Sequence, residues 1–427
     1  MIEKLLSYAK TENLDLEIFA ITNDEITIEY TNDLLTSYKL QNIKSYNLKA
    51  IIDGASVTAK VLDISNPEEV IKSLRYARTL TDELDEDTLT ETGNLENTER
   101  KDVSVNPAVI KDNIENFNAE IIKNYPDVRK IFTSYNFEKD FYEIYNTNGT
   151  KLIDTNYHAY YMADIVINGS AEKSIACDKY VMAKEPDFTL FKCKVIETIE
   201  SALNKVHHQS VITDKYKIIL DNKCAHDLLS SFALDFHALN ISKKQSVFTD
   251  KLNEKIFSDK ITIVEDPTNK ELIGTRLFDG EGTKTYYKKI VEDGIFKTIL
   301  YNKKYAKKDN TISTGNSYGV KNMYILPGVK SKDELFNLVD KGIYIDDLMG
   351  LHSGINHLTG DISIQCEGFL IENGKKTTGL KQIVLSTNIF ELLGGVLEVG
   401  SDLEFFGSDG GSPSLLIDNI TIAGKEV

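Results

Sequence analysis

Gly350-Leu351-His352-Ser353-Gly354-Ile355-Asn356-His357-Leu358-Thr359-Gly360-Asp361 runs directly into Ile362-Ser363-Ile364-Gln365-Cys366. Glycines and small polar residues punctuate the first part, and apolar and polar residues alternate in the second. That order predicts tight turns opening into a half-buried strand. The same grammar recurs from Leu277 to Gly424, in Phe278-Asp279-Gly280-Glu281-Gly282, Ser313-Thr314-Gly315-Asn316, Asp293-Gly294, Glu372-Asn373-Gly374 and Ser412-Pro413-Ser414-Leu415-Leu416-Ile417. Many short strands joined by turns are expected there, with helices at Ser331–Leu338 (Ser331 and Glu334 as a capping box) and around Asn388–Val396.

Outward from this stretch, the N-terminal half alternates helical and strand periodicity. Ile2, Leu5, Leu6 and Ala9 mark a first helix. Strands are expected at Leu14–Ile21 and Ile26–Tyr30, separated by an Asn23-Asp24 turn, and at Tyr46–Asp53 and Ser56–Ile64 around Asp53-Gly54. Asn66-Pro67-Glu68-Glu69 caps a helix carrying Val70, Leu74 and Ala77. A helix from Pro107, strands at Lys130–Tyr135, Phe141–Tyr145 and Tyr157–Ile167, and a helix over Thr189–Val206 follow. The acidic run near 81–106 reads as a loop. The expected fold is α+β with two domains. A mixed α/β domain spans 1–208, and an antiparallel, barrel-like β-rich domain spans 209–427.

The chain has 427 residues, 49 Lys and Arg against 66 Asp and Glu, and a formal charge of −17. Such a surface repels phosphate backbones, which argues against nucleic acid as a partner. Cys177, Cys193, Cys224 and Cys366 are widely spaced, as suits reduced thiols in the cytoplasm better than a disulfide framework. No window approaches the ~20 apolar residues of a membrane span, and Met1–Leu6 lacks a signal-peptide pattern.

The ordered series of motifs resembles the TldD/PmbA family of peptidase-associated proteins, loosely over the whole chain and tightly over 277–424. It is nearer the PmbA (TldE) branch. The elements that match are Asp279-Gly280-Glu281-Gly282, Asn146-Thr147-Asn148-Gly149, Asn322-Met323-Tyr324-Ile325-Leu326-Pro327-Gly328 and Ser353-Gly354-Ile355-Asn356 with Thr359-Gly360-Asp361. The resemblance implies a scaffold facing a peptide. On it, Asp279, Glu281, Gly282, Gly315, Asn316, Ser353, Gly354, Asn356, Gly360 and Asp361 are candidate peptide-binding residues.

The resemblance also implies where a metal would sit in the TldD branch: a strand-then-helix segment carrying His-Glu-x-x-x-His, completed by a later cysteine. Two imidazoles hold zinc there, and the carboxylate takes a proton from metal-bound water. This chain has His226-Asp227 with no second histidine through Ser231, and Gly407–Pro413 holds no cysteine. His237 lies eleven residues on, about 16 Å along a straight helix, too far for one ion. His226 and His237 are therefore weak metal candidates, and His207-His208 lack a third ligand. His352 and His357 flank Ser353, but a turn-rich setting suits backbone hydrogen bonding better than catalysis, and Cys366 reads as a buried thiol.

The expectation is a PmbA/TldE-like subunit with no catalytic residues and no cofactor of its own. It would work beside a TldD-like partner that holds zinc, as a heterodimer, or as a homodimer, on a peptide substrate. Two alternatives differ in class: an autonomous metallopeptidase with divergent ligands, and a regulatory protein-binding module of the DNA gyrase modulator kind.

Overall fold

The structure is a computed structural model describing residues 1–80, 88–91, 103–168, 174–317 and 319–424. The N-terminal half is built on one antiparallel sheet. Its strands are β1 (Asp15–Thr31), β2 (Leu34–Ile52), β3 (Ala55–Val61), β4 (Val128–Asn146), β5 (Lys151–Asn168) and β6 (Ser174–Ala183), in the order β3-β2-β1-β4-β5-β6. Helices α1 (Ile2–Thr11), α2 (Pro67–Thr79), α3 (Pro107–Asn124) and α4 (Phe188–Asn204) cover one face. Alternation along β1 assigns the faces. Leu16, Ile18 and Ala20 pack with Leu5 and Ala9 of α1 and Val70, Ile71 and Leu74 of α2. Ile28 and Tyr30 join Phe117 of α3 and Phe191 of α4. On the opposite face Phe19, Tyr142, Ile144 and Leu152 close over Phe278, so this sheet meets the C-terminal half directly.

Three sequence expectations change here. Asn23 and Asp24 make no turn: β1 runs through them, because both side chains find cross-strand partners, Asn23 with Asp140 and Asp24 with Asn42. The two strands expected at 130–145 are likewise one, and β6 had not been anticipated. The acidic run lies largely outside the described residues.

The C-terminal half begins with β7 (Asp214–Leu220), α5 (Asn222–Ser231), a 3-10 turn at Ala233–Phe236 and α6 (Ala238–Ser242). Next come β8 (Ile263–Glu265), β9 (Lys288–Glu292), β10 (Ile295–Phe296), α7 (Lys303–Lys308), β11 (Met323–Ile325) and α8 (Lys332–Asn337). The chain continues through β12 (Lys341–Met349), β13 (Asp361–Glu372), β14 (Lys375–Asn388), α9 (Ile389–Gly394), β15 (Val396–Val399), β16 (Glu404–Phe405), β17 (Gly410–Ser412) and β18 (Leu415–Ala423).

Strands β14-β13-β12-β7-β18 form a ring closed by pairing of β14 with β18, a five-stranded barrel with β15 beside β18. The barrel is not wholly antiparallel. β7 and β12 are parallel, as a long crossover between them permits and a hairpin would not. A second sheet, β10-β9-β8-β11-β17-β16, packs with α5 and the barrel in one core that includes Leu228, Phe232, Phe296, Met323 and Ile364.

Candidate functional site

The ten candidate residues fall into two groups on different loops. The first is built on Asp279. Its Oδ1 accepts the N–H groups of Glu281 and Thr283, both at 2.9 Å, and Oδ2 accepts Ser317 N–H at 3.0 Å. Burial raises the Asp279 carboxyl above its ordinary range, and these backbone donors oppose the rise. Gly282, with φ of +71°, completes the turn, and a Cβ there would strike Thr90. Glu281 accepts Lys303 N–H through Oε2 at 2.8 Å, and its carbonyl accepts Thr90 Oγ1 at 2.7 Å.

Thr90 ties this turn to the N-terminal sheet. Its N–H donates to Glu17, and its carbonyl accepts Asn146 Nδ2 and Thr150 Oγ1 at 2.7 and 2.8 Å. Around this junction a cavity of about 440 Å³ opens, bounded by Glu17, Asn47, Lys49, Gly280, Glu281 and Asn302.

Asn316 is interior. Its Nδ2 donates to both oxygens of Glu265 at 2.8 and 3.0 Å, and Oδ1 accepts from Thr314 at 2.8 Å. Lys288 closes the network on Glu265 Oε2 at 2.6 Å, with both members of that pair buried. Gly315, just before it, packs on the Lys284 carbonyl. Glu265 and Lys288 were missed by sequence reading. A Glu ending the apolar run Ile263-Val264 was the available signal.

The second group is the loop before β13. Asn356 Oδ1 caps Leu358 and Thr359, and its carbonyl accepts Gly360 N–H at 2.7 Å. Asp361 is held by Thr359 at 2.6 Å and Asn388 at 3.0 Å. Ser353 donates to the Gly350 carbonyl. Gly354 leaves room for its own chain: a Cβ would lie 2.5 Å from the Ser363 carbonyl.

The two groups are bridged by one segment. In the 3-10 turn Asp235 meets His357 Nδ1 at 2.7 Å, and two residues on His237 Nε2 meets the Asn316 carbonyl at 2.9 Å. His237 is also the N-cap of α6, where Nδ1 accepts Leu239 N–H at 3.1 Å. The ring therefore carries its proton on Nε2, and both nitrogens are engaged. Helix α5 ends at Ser231 and a 3-10 turn follows, so His226 and His237 lie on separate elements and not along one straight helix.

His226 stacks on Phe406 with ring centroids 5.3 Å apart, and its Nε2 lies 3.7 Å from Asp409. Asp409 lies in the 407–413 loop, where the resemblance places a cysteine ligand. Burial holds the His226 pKa below its ordinary value. Among the described residues no group of three or more His, Cys, Asp or Glu is arranged to hold a metal ion. The residues at the zinc-motif positions do not fit a zinc ligand set.

Residues 213–424 match the profile of the PmbA/TldA metallopeptidase C-terminal domain. The chain belongs to the PmbA/TldD family. A metalloprotease PmbA homolog of Buchnera aphidicola is 29% identical over 239 residues, covering 54% of this chain and 53% of the relative. The chain spans about half the length of the curated relatives it matches. The fold of PmbA/TldD proteins extends over the whole molecule. A Thermotoga maritima candidate modulator of a DNA gyrase superposes with a TM-score of 0.88 at 23% identity over 99% of both chains. TldE from Thermococcus kodakarensis gives 0.84 at 20% identity, covering 99% of this chain and 100% of that one. No helix among the described residues is long and apolar enough to cross a membrane.

Proposed function

We propose that this chain is a PmbA/TldE-like subunit of a cytoplasmic metallopeptidase, which shapes a peptide-binding surface while a TldD-like partner holds zinc. The observation that carries this reading is the state of the two histidines. His237 uses both ring nitrogens inside its own fold, and His226 lies flat on Phe406 facing a carboxylate. A metal would have to break the α6 cap to reach the first, and it finds no second imidazole at the other.

The cavity beside Gly280 and Glu281 supports the substrate side of the reading. Its size is in the range of small-ligand and peptide-anchoring pockets, about 300–1,000 Å³, and main-chain groups line it along with side chains. No catalytic residue is assigned to this chain. Its partner is a TldD-like subunit or, failing that, a second copy.

Metal analysis and peptidase assay of the purified chain, alone and after co-expression with a relative carrying His-Glu-x-x-x-His, form the test. An equimolar complex that gains zinc and activity is expected. Stoichiometric zinc and peptidase activity in the isolated chain would overturn the proposal.

A further inference from the structure

Asn322 is fully buried with φ of +50°, and it pins three loops together. Its Oδ1 accepts Gly274 N–H at 2.9 Å, its Nδ2 donates to the Asp266 carbonyl at 2.9 Å, and its own N–H donates to the Ser408 carbonyl at 3.0 Å. Met323 N–H then takes the Asp409 carbonyl at 2.6 Å. This knot fixes the backbones that carry Arg276, Lys321 and Asp409 beside one another, near His226.

Neither cation in this knot is held in a direct ion pair. The Arg276 guanidinium lies 3.4 Å from the centroid of the Tyr142 ring, a cation–π contact with a neutral partner. The Lys321 ammonium meets Ser408 Oγ at 3.5 Å, the outer limit of a hydrogen bond. The acids around Lys321 are Asp409, Glu265 and Asp140. Glu265 is already held by Lys288 and Asn316, Asp140 takes Tyr142 and Asn23, and Asp409 faces His226. Among the described residues neither Arg276 nor Lys321 makes a salt bridge. Both are half-buried. Two like charges withdrawn from water with no carboxylate in direct ion-pair contact are unfavourable. Burial and the Arg276 charge both push Lys321 below its ordinary pKa, as expected for a cation lacking a close anion.

We infer that Arg276 and Lys321 form an anion subsite that takes the C-terminal carboxylate of a peptide. Arg276 presents a planar fork to two carboxylate oxygens, and Lys321 adds a point charge. Asp409 and Asp140 nearby offset part of the charge of the two cations, which suits a monoanionic carboxylate better than a phosphate dianion. The subsite lies where the C-terminal half faces Tyr142 of the N-terminal sheet, so a peptide held there would run between the two halves. The inference deepens the peptide reading above and rests on it.

Calorimetric titration at low salt tests it, using acetyl-alanine and a short unstructured peptide, each as free acid and as amide. The free acids are expected to bind at least about tenfold tighter than the amides. Lys321→Gln should remove that preference and Lys321→Arg should retain it, with thermal melts confirming that both variants fold. Equal binding of peptide acid and amide would overturn the subsite and leave the peptide reading standing. Preference for acetyl-alanine over its amide, with no binding of the longer peptide, would keep the subsite and overturn the peptide reading. Absence of binding by every probe would overturn both.

Discussion

Oδ2 of Asp235, a side chain only 2% exposed, lies 2.7 Å from Nδ1 of His357, whose ring is half in solvent. The carboxylate is thus buried against a half-exposed imidazole. Burial raises the Asp235 pKa, and the hydrogen bond and charge of His357 oppose the rise. A carboxyl with a raised folded-state pKa is favourable to folding while protonated, and that contribution is lost as pH climbs from the ordinary carboxylate range through the raised value. His357→Ala should therefore cost about 2 kcal/mol near neutral pH, where Asp235 must ionise without its partner, and clearly less near pH 4. Urea unfolding at the two pH values measures this; an equal cost at both would refute it.

Asn316 is the hinge of the Glu265–Lys288 pair. Asn316→Ala removes the amide that donates to both Glu265 oxygens and should destabilise by about 2–4 kcal/mol. Asn316→Asp keeps the shape but sets a second carboxylate against Glu265, so it should be no milder. Denaturant midpoints of the two variants rank them. An Asp variant as stable as the parent would show that the network does not constrain this position.

His226 and His237 are both held below their ordinary pKa of 6.5, in each case mainly by burial. The unfolded chain takes up protons first, so stability is full above about pH 6.5 and declines as pH falls from there through the lowered folded values. The slope of unfolding free energy against pH below that point should be shallower in His226→Gln than in the parent. Parallel slopes would mean that His226 is charged in the folded protein.

The legible parts of this fold are those decided locally. Asn66 caps α2 through Glu69 N–H, Ser331 and Glu334 form a reciprocal capping box, and Asp53-Gly54 turns β2 into β3 with positive φ at both residues. Each depends on residues within a few positions of one another. What escaped depends on distant partners. Asn23-Asp24 has the composition of a turn, yet Asp140 and Asn42 hold it in a strand. The straight helix along which His226 and His237 were spaced stops at Ser231, where the backbone switches to a 3-10 turn that places Asp235 and His237. In the candidate site, the motif residues were readable as turn formers. Their partners Thr90, Glu265 and Asp235 were not, since no local pattern links Thr90 to Glu281 or Glu265 to Asn316.

Gly354 sits so close to the Ser363 carbonyl that Gly354→Ala must displace the start of β13. A loss of about 1–3 kcal/mol is expected. Peptide titrations on this variant need a parallel stability measurement, since weakened binding accompanied by an unchanged melting temperature would show that the glycine serves a ligand instead of its own strand.

Cys193 is exposed, whereas Cys224 and Cys366 are buried and burial pushes both thiols up, Cys366 to about 12. Cys177 is also raised to about 12. A colorimetric thiol reagent should therefore modify one cysteine rapidly in the native protein, and Cys193→Ser should abolish that fast phase. A second fast thiol in the variant would contradict the burial assigned to the others.

The barrel places its earliest strand between two much later ones: Ile343 of β12 lies against Ile218 of β7, and Leu415 of β18 lies against Leu220. On a ribosome, β7 would emerge about two hundred residues before its second neighbour exists. Until then at least one of its apolar edges stays open, with loop-closure entropy still to be overcome. The N-terminal sheet, whose strands pair over shorter separations, can form while the barrel waits. Synthesis of this molecule thus has a late, single committing event, and a nascent chain stalled before Leu415 should be the species that chaperones hold and proteases reach.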